Sequence, residues 1–293
     1  MKYYVVGAMA GSSMDGLDLA LVSFLHLEES WRYEIIECTT VSYEEHLYEQ
    51  LQQSSSLDQK QKEELDDFFG DWIGDQINIF LSNQKHYKVD LLAVHGHTVV
   101  HIPMEGISWQ LGNGYRISKR TGIATVTDFR TLDIKEGGQG APLVPYGDFE
   151  LFRGYDACVN LGGIANVSLR DEKMAWDICP CNQILNFYAK KLGFEYDRNG
   201  ELGRGGRIID ELIGQISYLD YFTTPAPKSL PNGFIPFQIL DTVDPVDGLR
   251  SCVEFIAKQI FSDLSVLKKP TARLLITGGG AFNAFLVERI KHY

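Results

Sequence analysis

Hydrophobic residues fall into short runs along the chain, and the spacing within each run predicts a strand or a helix. Runs of strand length predict strands at residues 3–9, 17–24, 31–43, 89–94, 123–127, 174–178 and 272–277, with a further hairpin at 155–169. Apolar positions three and four residues apart predict helices at residues 44–52, 58–81, 114–121, 182–192, 207–217, 246–267 and 281–293. The alternation of strands and helices indicates an α/β protein.

The opening pattern of the chain returns near its midpoint. Residues 3–24 follow the order apolar run, glycine-containing loop, apolar run, and residues 155–169 repeat this order. A repeated unit of this kind predicts two similar halves. We therefore expect a duplicated fold with an N-terminal part, residues 1–150, and a C-terminal part, residues 151–293.

The composition is that of a folded, acidic protein. The 293 residues include 44% hydrophobic and 23% charged residues, which excludes a disordered or fibrous chain. The formal net charge of −12 argues against a dedicated nucleic-acid binder, because binding to phosphate backbones needs clustered cations. The 28 glycines instead indicate that a bound phosphate would be held by backbone amides.

The cysteines predict reduced thiols and a cytoplasmic location. Their number is odd, and they are scattered mostly within apolar runs, unlike the cysteines of a disulfide framework. The apolar stretch at the N-terminus is too short for a signal peptide, and no run reaches membrane-spanning length. We expect a cytoplasmic protein with no membrane partner.

Three glycine-rich segments follow apolar runs and are candidate phosphate sites. They are GAMAGSSMDGLD at 7–18, NLGGIANV at 160–167 and TGGGAFN at 277–283. Amides and hydroxyls in such turns suit a polyphosphate, a nearby carboxylate can hold the accompanying Mg²⁺, and a helix start after the third segment can meet a ligand. The alternative is that they are ordinary tight turns, with Asp15 and Gly16 only closing a hairpin.

Three histidines follow the strand predicted at 89–94, at positions 95, 97 and 101. Alternate histidines at a strand end can bind zinc, so a metal-dependent hydrolase is one hypothesis. No partner cluster of Asp, His and Glu follows them, which favours substrate contact or structural hydrogen bonding. We therefore predict no protein-ligated metal centre.

Two further segments carry the remaining candidate residues. Arg120 and Arg130, together with Asp128, suit recognition of a carboxylated, hydroxyl-rich ligand, or else form an ion-paired strand end. Asp177 ends an apolar strand, where partial desolvation would let its carboxylate act as a general base.

Together these segments resemble the anhydro-N-acetylmuramic acid kinase family, a member of the actin, hexokinase and Hsp70 structural superfamily. The resemblance runs through nearly the whole chain and rests on GAMAGSSMDGLD, HGHT, TGIATVTDFR, GGQGAPLVP, NLGGIANVS, WDICPCN, APKS and TGGGAFN. It implies an actin-like (ribonuclease H-like) duplicated two-lobe fold with a central cleft. It also implies a kinase that uses ATP and Mg²⁺, and a homodimer.

The resemblance assigns roles to individual residues. The ATP-binding positions would be Gly11, Ser12, Ser13, Met14, Asp15, Gly16, Asp18, Gly162, Gly163, Asn166, Gly278, Gly279, Gly280 and Asn283. The sugar-binding positions would be His97, Thr98, Arg120, Asp128, Arg130 and Gln139. Asp177 would be the catalytic base.

The implied reaction belongs to peptidoglycan recycling. Water opens the anhydro ring of 1,6-anhydro-N-acetylmuramic acid, and ATP phosphorylates the sugar to N-acetylmuramic acid 6-phosphate. The chain departs from the family pattern in ending at Tyr293, where the family continues with a further helical segment. An alternative hypothesis is therefore an actin-like module that binds or slowly hydrolyses ATP and has lost the sugar chemistry.

Overall fold

The structure, a computed structural model, describes residues 1–11, 14, 16–28, 30–230, 234, 237–269 and 271–293. The chain divides into two compact units, residues 1–143 and 144–293, where the sequence suggested a division after residue 150. Each unit is built on one β-sheet. Within the described ranges, no helix is long and apolar enough to cross a lipid bilayer.

The described residues form ten strands and twelve α-helices. The strands are β1 (Lys2–Ala10), β2 (Leu17–Leu27), β3 (Ser30–Val41), β4 (Leu91–Ile102), β5 (Ile107–Leu111), β6 (Thr125–Val126), β7 (Ala157–Leu161), β8 (Ile164–Leu169), β9 (Met174–Pro180) and β10 (Leu274–Thr277). The helices are α1 (Glu45–Gln53), α2 (Gln59–Leu81), α3 (Gly114–Thr121), α4 (Thr131–Lys135), α5 (Val144–Leu151), α6 (Asn182–Lys191), α7 (Glu201–Arg204), α8 (Asp210–Ser217), α9 (Asp220–Thr223), α10 (Phe237–Leu240), α11 (Pro245–Leu264) and α12 (Ala284–His292).

The first unit contains a mixed sheet with the strand order β3-β2-β1-β4-β5, and β6 pairs with β4. Strand β1 runs antiparallel to β2 and parallel to β4. Along β1, Val6 and Ala8 are buried whereas Tyr3 and Met9 are exposed, which is the alternation of a strand with one covered face. The covered face shares a hydrophobic core with side chains of α2, including Phe69.

The second unit contains a sheet with the strand order β10-β7-β8-β9. Strand β7 runs antiparallel to β8 and parallel to β10. Helices α6 and α11 complete its hydrophobic core. Helix α11 is buried along most of its length, which explains why its sequence carries apolar residues on several faces.

The two sheets repeat one topology. The order β3-β2-β1-β4 corresponds to β9-β8-β7-β10, and the matching strand pairs run in the same relative directions. The predicted α/β class and the predicted duplication into two similar halves are thereby confirmed. The actin-like identity of the fold is what the family resemblance implies. The expected central cleft stays a prediction.

Strand β4 is longer than the sequence predicted. It continues to Ile102, so the predicted position of the three histidines after the strand is wrong, and they lie within it. Gly96 has a φ of +73°, and a Cβ there would lie 2.0 Å from the Leu111 carbonyl oxygen, so glycine lets the strand continue. The sequence pattern treats this glycine as a strand end, and the partner strand β5 was not predicted.

Five helices were also absent from the sequence prediction. They are α4, α5, α7, α9 and α10, and each has only four to eight residues. Four of them have five residues or fewer, little more than one turn, so the helical period has no room to repeat.

Two glycines let α2 and α3 pack closely. A Cβ at Gly70 would lie 2.9 Å from the Asn113 carbonyl oxygen, and a Cβ at Gly74 would lie 2.7 Å from the Arg120 Cβ. Both distances are shorter than a normal contact, so a larger residue would push the helices apart. Because Asn113 is the N-cap of α3, this packing fixes where α3 begins.

Replacement of Gly74 by Ala is expected to destabilise the chain by about 1–3 kcal/mol, because the added methyl group has no room against Arg120. The matched control is Gly214→Ala in α8, where no atom lies within 4 Å of the added Cβ. That change should stabilise the chain by about 0.5–1 kcal/mol. Urea unfolding followed by circular dichroism measures both effects, and equal stability of the two variants would contradict the packing argument.

Candidate active site

Four polar residues form a row across the second sheet. Thr277 of β10 pairs with Asn160 of β7. Asn160 in turn pairs with Asn166 of β8, and Asn166 pairs with Asp177 of β9. Directly paired residues present their side chains on the same face of a sheet. Asn166 and Asp177, which the sequence analysis selected for different roles, are therefore neighbours.

The glycine segment after β10 packs against the end of β7. Gly278 has a φ of +81°, and a Cβ there would lie 2.6 Å from Asn160 Oδ1. A Cβ at Gly280 would lie 2.7 Å from the Leu161 Cβ, whereas one at Gly279 would meet nothing closer than 3.7 Å. Only glycine permits the approach at 278 and 280. The segments 160–167 and 277–283 thus meet at one edge of the second sheet, which is called the glycine edge below.

The turn between β7 and β8 is fixed by the start of α6. The Gly162 carbonyl accepts a hydrogen bond from the Asn182 amide at 3.0 Å. The Gly163 carbonyl accepts from the amides of Cys181 and Gln183 at 2.8 and 3.1 Å. These bonds occupy the first amides of α6. No described backbone carbonyl accepts from the Gly162 and Gly163 amides, and their expected contact with phosphate stays a prediction.

Burial and one hydrogen bond act in opposite directions on the pKa of the Asp177 carboxyl. Desolvation raises its pKa above the ordinary value, because it disfavours the charged form. The Leu230 amide donates to Oδ2 at 2.9 Å and opposes that rise in pKa. The register between β8 and β9 skips Ile178, and such a bulge re-aims the side chains beside it. A partly desolvated carboxylate of this kind is suited to accept a proton.

Asn283 has a structural contact in this unit. Its Oδ1 accepts a hydrogen bond from the Leu286 amide at 3.0 Å, which caps α12. Gly200 packs directly on it, since a Cβ at Gly200 would lie 2.3 Å from Asn283 Oδ1. The capping role accounts for an asparagine at this position, and the expected ATP contact of Asn283 stays a prediction.

The first glycine loop is described only in part. Ser12, Ser13 and Asp15, all predicted ATP contacts, lie outside the described residues. The Met14 amide donates to the Gly11 carbonyl at 3.2 Å. The Met14 side chain packs against the core of the first unit, so any contact of Met14 with a ligand would come from its backbone.

The end of the first loop lies close to β3. A Cβ at Gly16 would lie 2.6 Å from the Val41 carbonyl oxygen, so this position accepts only glycine. Asp18 Oδ1 accepts a hydrogen bond from Thr40 Oγ1 at 2.5 Å. The Asp18 side chain is exposed, which leaves its carboxylate open to a cation or a phosphate-bound metal.

A cavity of about 300 Å³ lies in the first unit. Its lining is mostly polar and consists of Asp66, His95, Ser108, Trp109, Gln110, Gly112, Asn113, Gly114, Thr127, Asp128 and Thr131. Asp128, a predicted sugar contact, has a φ of +58° and accepts from the Thr131 amide at 3.2 Å. Asp66 accepts from the Gly112 amide at 2.7 Å, and burial raises the pKa of Asp66. Carboxyls, hydroxyls and amides in one cavity suit a ligand rich in hydroxyl groups.

Arg130 ties two segments of the first unit together. It donates to His95 Nε2 from Nε at 3.1 Å and from Nη2 at 2.8 Å, and to the Gly140 carbonyl from Nη1 at 2.6 Å. Because a guanidinium only donates, His95 Nε2 is unprotonated and Nδ1 donates to the Gly96 carbonyl at 2.8 Å. Burial lowers the pKa of His95, which agrees with a neutral ring.

These bonds bear on the zinc hypothesis. Both ring nitrogens of His95 are engaged, and His101 Nδ1 is bonded to Ser108 Oγ at 3.0 Å. Among the residues that the structure describes, no group of three or more His, Cys, Asp and Glu side chains is placed to hold a metal ion. His95 and His101 thus have structural hydrogen bonds, and the prediction of no protein-ligated metal centre stays a prediction.

Arg130 and the four other predicted sugar contacts do not line the cavity. Arg120 forms a bidentate ion pair with Asp75 at 2.5 and 2.7 Å. Thr98 lies within β4, and Gln139 is exposed after α4. His97 is buried, burial lowers its pKa, and Nδ1 has no hydrogen-bond partner among the described residues. The roles of these four residues in sugar binding stay predictions.

Several residues at these sites were not among the predicted contacts, although Asn160 and Thr277 lie within the predicted glycine-rich segments. Asn160, Thr277 and Asn182 belong to the glycine edge of the second unit, and Asp66 lines the cavity of the first. Asn160 and Thr277 offered a signal, because each is a polar residue at or next to the end of an apolar strand. Asp66 offered none, because it is one of several acidic residues along α2.

The sequence matches a known family over nearly its whole length. The profile of the family described as anhydro-N-acetylmuramic acid kinase matches residues 3–293. An anhydro-N-acetylmuramic acid kinase of Hydrogenovibrio crunogenus is 31% identical, over 99% of this chain and 82% of that protein. One of Synechococcus elongatus is 32% identical, over 98% of this chain and 84% of that protein.

Two solved structures show weaker likenesses at 11% identity. An activator of the 2-hydroxyisocaproyl-CoA dehydratase from Clostridium difficile with bound ADPNP has a TM-score of 0.44, over 100% of this chain and 84% of that one. A ROK hexokinase from Thermus thermophilus has a TM-score of 0.34, over 100% of this chain and 89% of that one. Both TM-scores are too low to support an argument about this chain.

Replacement of Arg130 by Lys is expected to release the loop at Gly140, because an ammonium cannot span His95 and the loop as the guanidinium fork does. Hydrogen exchange of peptides covering residues 136–143 should become about tenfold faster, which corresponds to about 1.4 kcal/mol. Arg32→Lys, at an exposed position in β3, is the control and should change nothing. Unchanged exchange in the Arg130 variant would show that the loop is held by other contacts.

Proposed function

The chain belongs to the anhydro-N-acetylmuramic acid kinase family, and we propose that it opens 1,6-anhydro-N-acetylmuramic acid with water and phosphorylates it with ATP. The product is N-acetylmuramic acid 6-phosphate, an intermediate of peptidoglycan recycling. The observation that carries this proposal is the family match over residues 3–293. It is supported by a partly buried carboxylate, Asp177, beside two converging glycine segments.

In the proposed reaction, Asp177 takes a proton from water as the water oxygen bonds to the anomeric carbon. The bond between that carbon and the bridging oxygen breaks. The released oxygen bonds to the γ-phosphorus of ATP, the bond to the β-phosphate oxygen breaks, and ADP leaves. Phosphoryl transfer needs positioning and charge neutralisation and no covalent nucleophile, which fits a site of glycine turns and carboxylates.

The nucleotide is assigned to the glycine turns. In the second unit, the free amides of the turn at residues 162–163 suit phosphate oxygens, and the close-packed glycines 278–280 leave room for the nucleotide beside β7. In the first unit, the loop that begins at Gly11 is assigned to phosphate as well. Asn166 is assigned here because it lies in the polar row next to Asp177.

Mg²⁺ is expected to accompany ATP. Asp18 fits this ion, because its exposed carboxylate supplies the hard oxygen ligand that Mg²⁺ prefers. When bound, the ion would neutralise charge on the phosphates. Mg²⁺ usually keeps several waters and few protein ligands.

The sugar is assigned to the first unit. The polar cavity that includes Asp128 suits its hydroxyl and carboxyl groups, and Arg130 holds the neighbouring loop in place. His97, Thr98, Arg120 and Gln139 remain proposed contacts on the family resemblance. A homodimer and a cytoplasmic location are further parts of this proposal. No described feature favours the alternative, an ATP-binding module without sugar chemistry.

Asp177→Asn is expected to lower sugar-dependent ADP release by about 10²–10⁴-fold, because the amide cannot accept the proton of water. ADP binding, measured by calorimetry, should change little, because the glycine turns are intact. Asp210→Asn, an exposed change at the start of α8, is the matched control and should leave turnover unchanged.

The turnover of the unaltered enzyme is expected to fall as the pH is lowered, with a midpoint above 3.8. The reason is that the base must be ionised and that burial raises its pKa.

Full turnover in the Asp177 variant would remove this residue from the mechanism. ADP release that does not depend on 1,6-anhydro-N-acetylmuramic acid would instead support the ATP-binding module. The two outcomes are separated by running the coupled assay with and without the sugar.

A further inference from the structure

The segment at residues 221–230, named here the strap, lies beside β9 and meets it at Asp177. Strand β9 is at the edge of its sheet, so its outer backbone groups are not used by another strand. The Asp177 amide donates to the Lys228 carbonyl at 3.0 Å. Two residues later, the Leu230 amide donates to Asp177 Oδ2 at 2.9 Å. Two successive bonds from the strap thus converge on one residue of the sheet.

The other end of the strap meets the same residue. The Tyr221 hydroxyl, on a side chain that is 8% exposed, donates to the Asp177 carbonyl. Lys228 closes the strap on itself, because its Nζ donates to the Tyr221 carbonyl at 3.0 Å and lies 4.6 Å from the centre of the Tyr221 ring. The strap is therefore a closed structure that holds the amide, the carbonyl and one carboxylate oxygen of Asp177.

We propose that the strap is a positioning device for the catalytic carboxylate, which fixes Oδ2 of Asp177 and leaves Oδ1 to take the proton. In the described part of the chain, the one hydrogen bond to the Asp177 carboxylate is from the Leu230 amide to Oδ2. Leu230 and Tyr221 are accordingly positioning residues and not catalytic residues. This inference rests on the proposed function, since it assumes that Asp177 is the base.

The strap also acts on the charge of the carboxylate. Burial alone would favour the protonated carboxyl, and a hydrogen bond from a backbone amide favours the ionised form that a base needs. Among the described residues, the titratable groups around this end of β9 are Tyr221 and Lys228 of the strap, Cys179 of β9, Cys181 just after it, and Cys252 and Asp263 of α11. Of these, only Lys228 brings a positive charge, and its Nζ is committed to the strap itself.

The Leu230 amide can be removed without removing Asp177. Leu230→Pro deletes the N–H, whereas Leu230→Ala deletes most of the same side chain and keeps the N–H. In the proline variant we expect kcat to fall about tenfold and the acid limb of the kcat/KM profile to move about one unit to higher pH, while KM for the sugar changes less than threefold. The alanine variant should keep the pH profile of the unaltered enzyme.

Tyr221→Phe provides a second variant in case Leu230→Pro does not fold. It deletes only the hydroxyl that donates to the Asp177 carbonyl, and we expect a severalfold lower kcat with an unchanged KM. Tyr218→Phe, at a position that is 85% exposed, is the control. If both strap variants keep the kcat and pH profile of the unaltered enzyme, the proposal is wrong.

A double-mutant cycle separates this proposal from the proposed function. The loss of melting temperature caused by Leu230→Pro should be smaller in an Asp177→Ala background, because the bond it removes is already absent. Equal losses in both backgrounds would overturn the strap even in an active kinase. Absence of sugar-dependent ADP release in the unaltered chain would overturn the proposed function and with it the assignment of the strap to a catalytic base.

Discussion

Removing a carboxylate from bulk water costs free energy, which other groups of the protein must offset. Asp177 is such a carboxylate, and its neighbours in the second unit supply this compensation. Burial raises the pKa of the carboxyl, and the Leu230 amide at Oδ2 stabilises the ionised form. A fully solvated carboxylate would be a weak base at neutral pH, whereas one buried without a donor would remain protonated. The register of β8 and β9 then places Asn166 beside it and continues the polar row to the glycine edge.

Because the two units share one strand topology, their corresponding positions can be compared, and these positions carry different side chains. In the first unit, the row that corresponds to Thr277, Asn160, Asn166 and Asp177 consists of Gly96, Met9, Asp18 and Thr40. The carboxylate is therefore on the second strand in one unit and on the third strand in the other. The same backbone frame supplies an exposed carboxylate suited to a cation in the first unit and a partly buried carboxylate suited to accept a proton in the second.

The sequence was sufficient for the repeated halves, for most long elements and for the identity of the glycine segments, because these depend on local pattern. It could not show that Gly278 packs on Asn160, or that Asn166 pairs with Asp177, because both facts depend on the register between strands distant in sequence. Arg120 and Arg130 look alike in sequence. Arg120 forms an ion pair with Asp75 of α2, whereas Arg130 donates to the Gly140 carbonyl. This difference follows only from tertiary packing.

The most direct test of this account is a carboxyl ¹³C NMR titration of the unaltered chain, with Asp177 assigned by comparison with an Asp177→Asn sample. We expect the Asp177 carboxyl to titrate above 3.8, the ordinary value for aspartate, because burial outweighs the Leu230 hydrogen bond. A titration midpoint at or below that value would contradict it, since Asp177 would then be an ordinary solvated or ion-paired carboxylate.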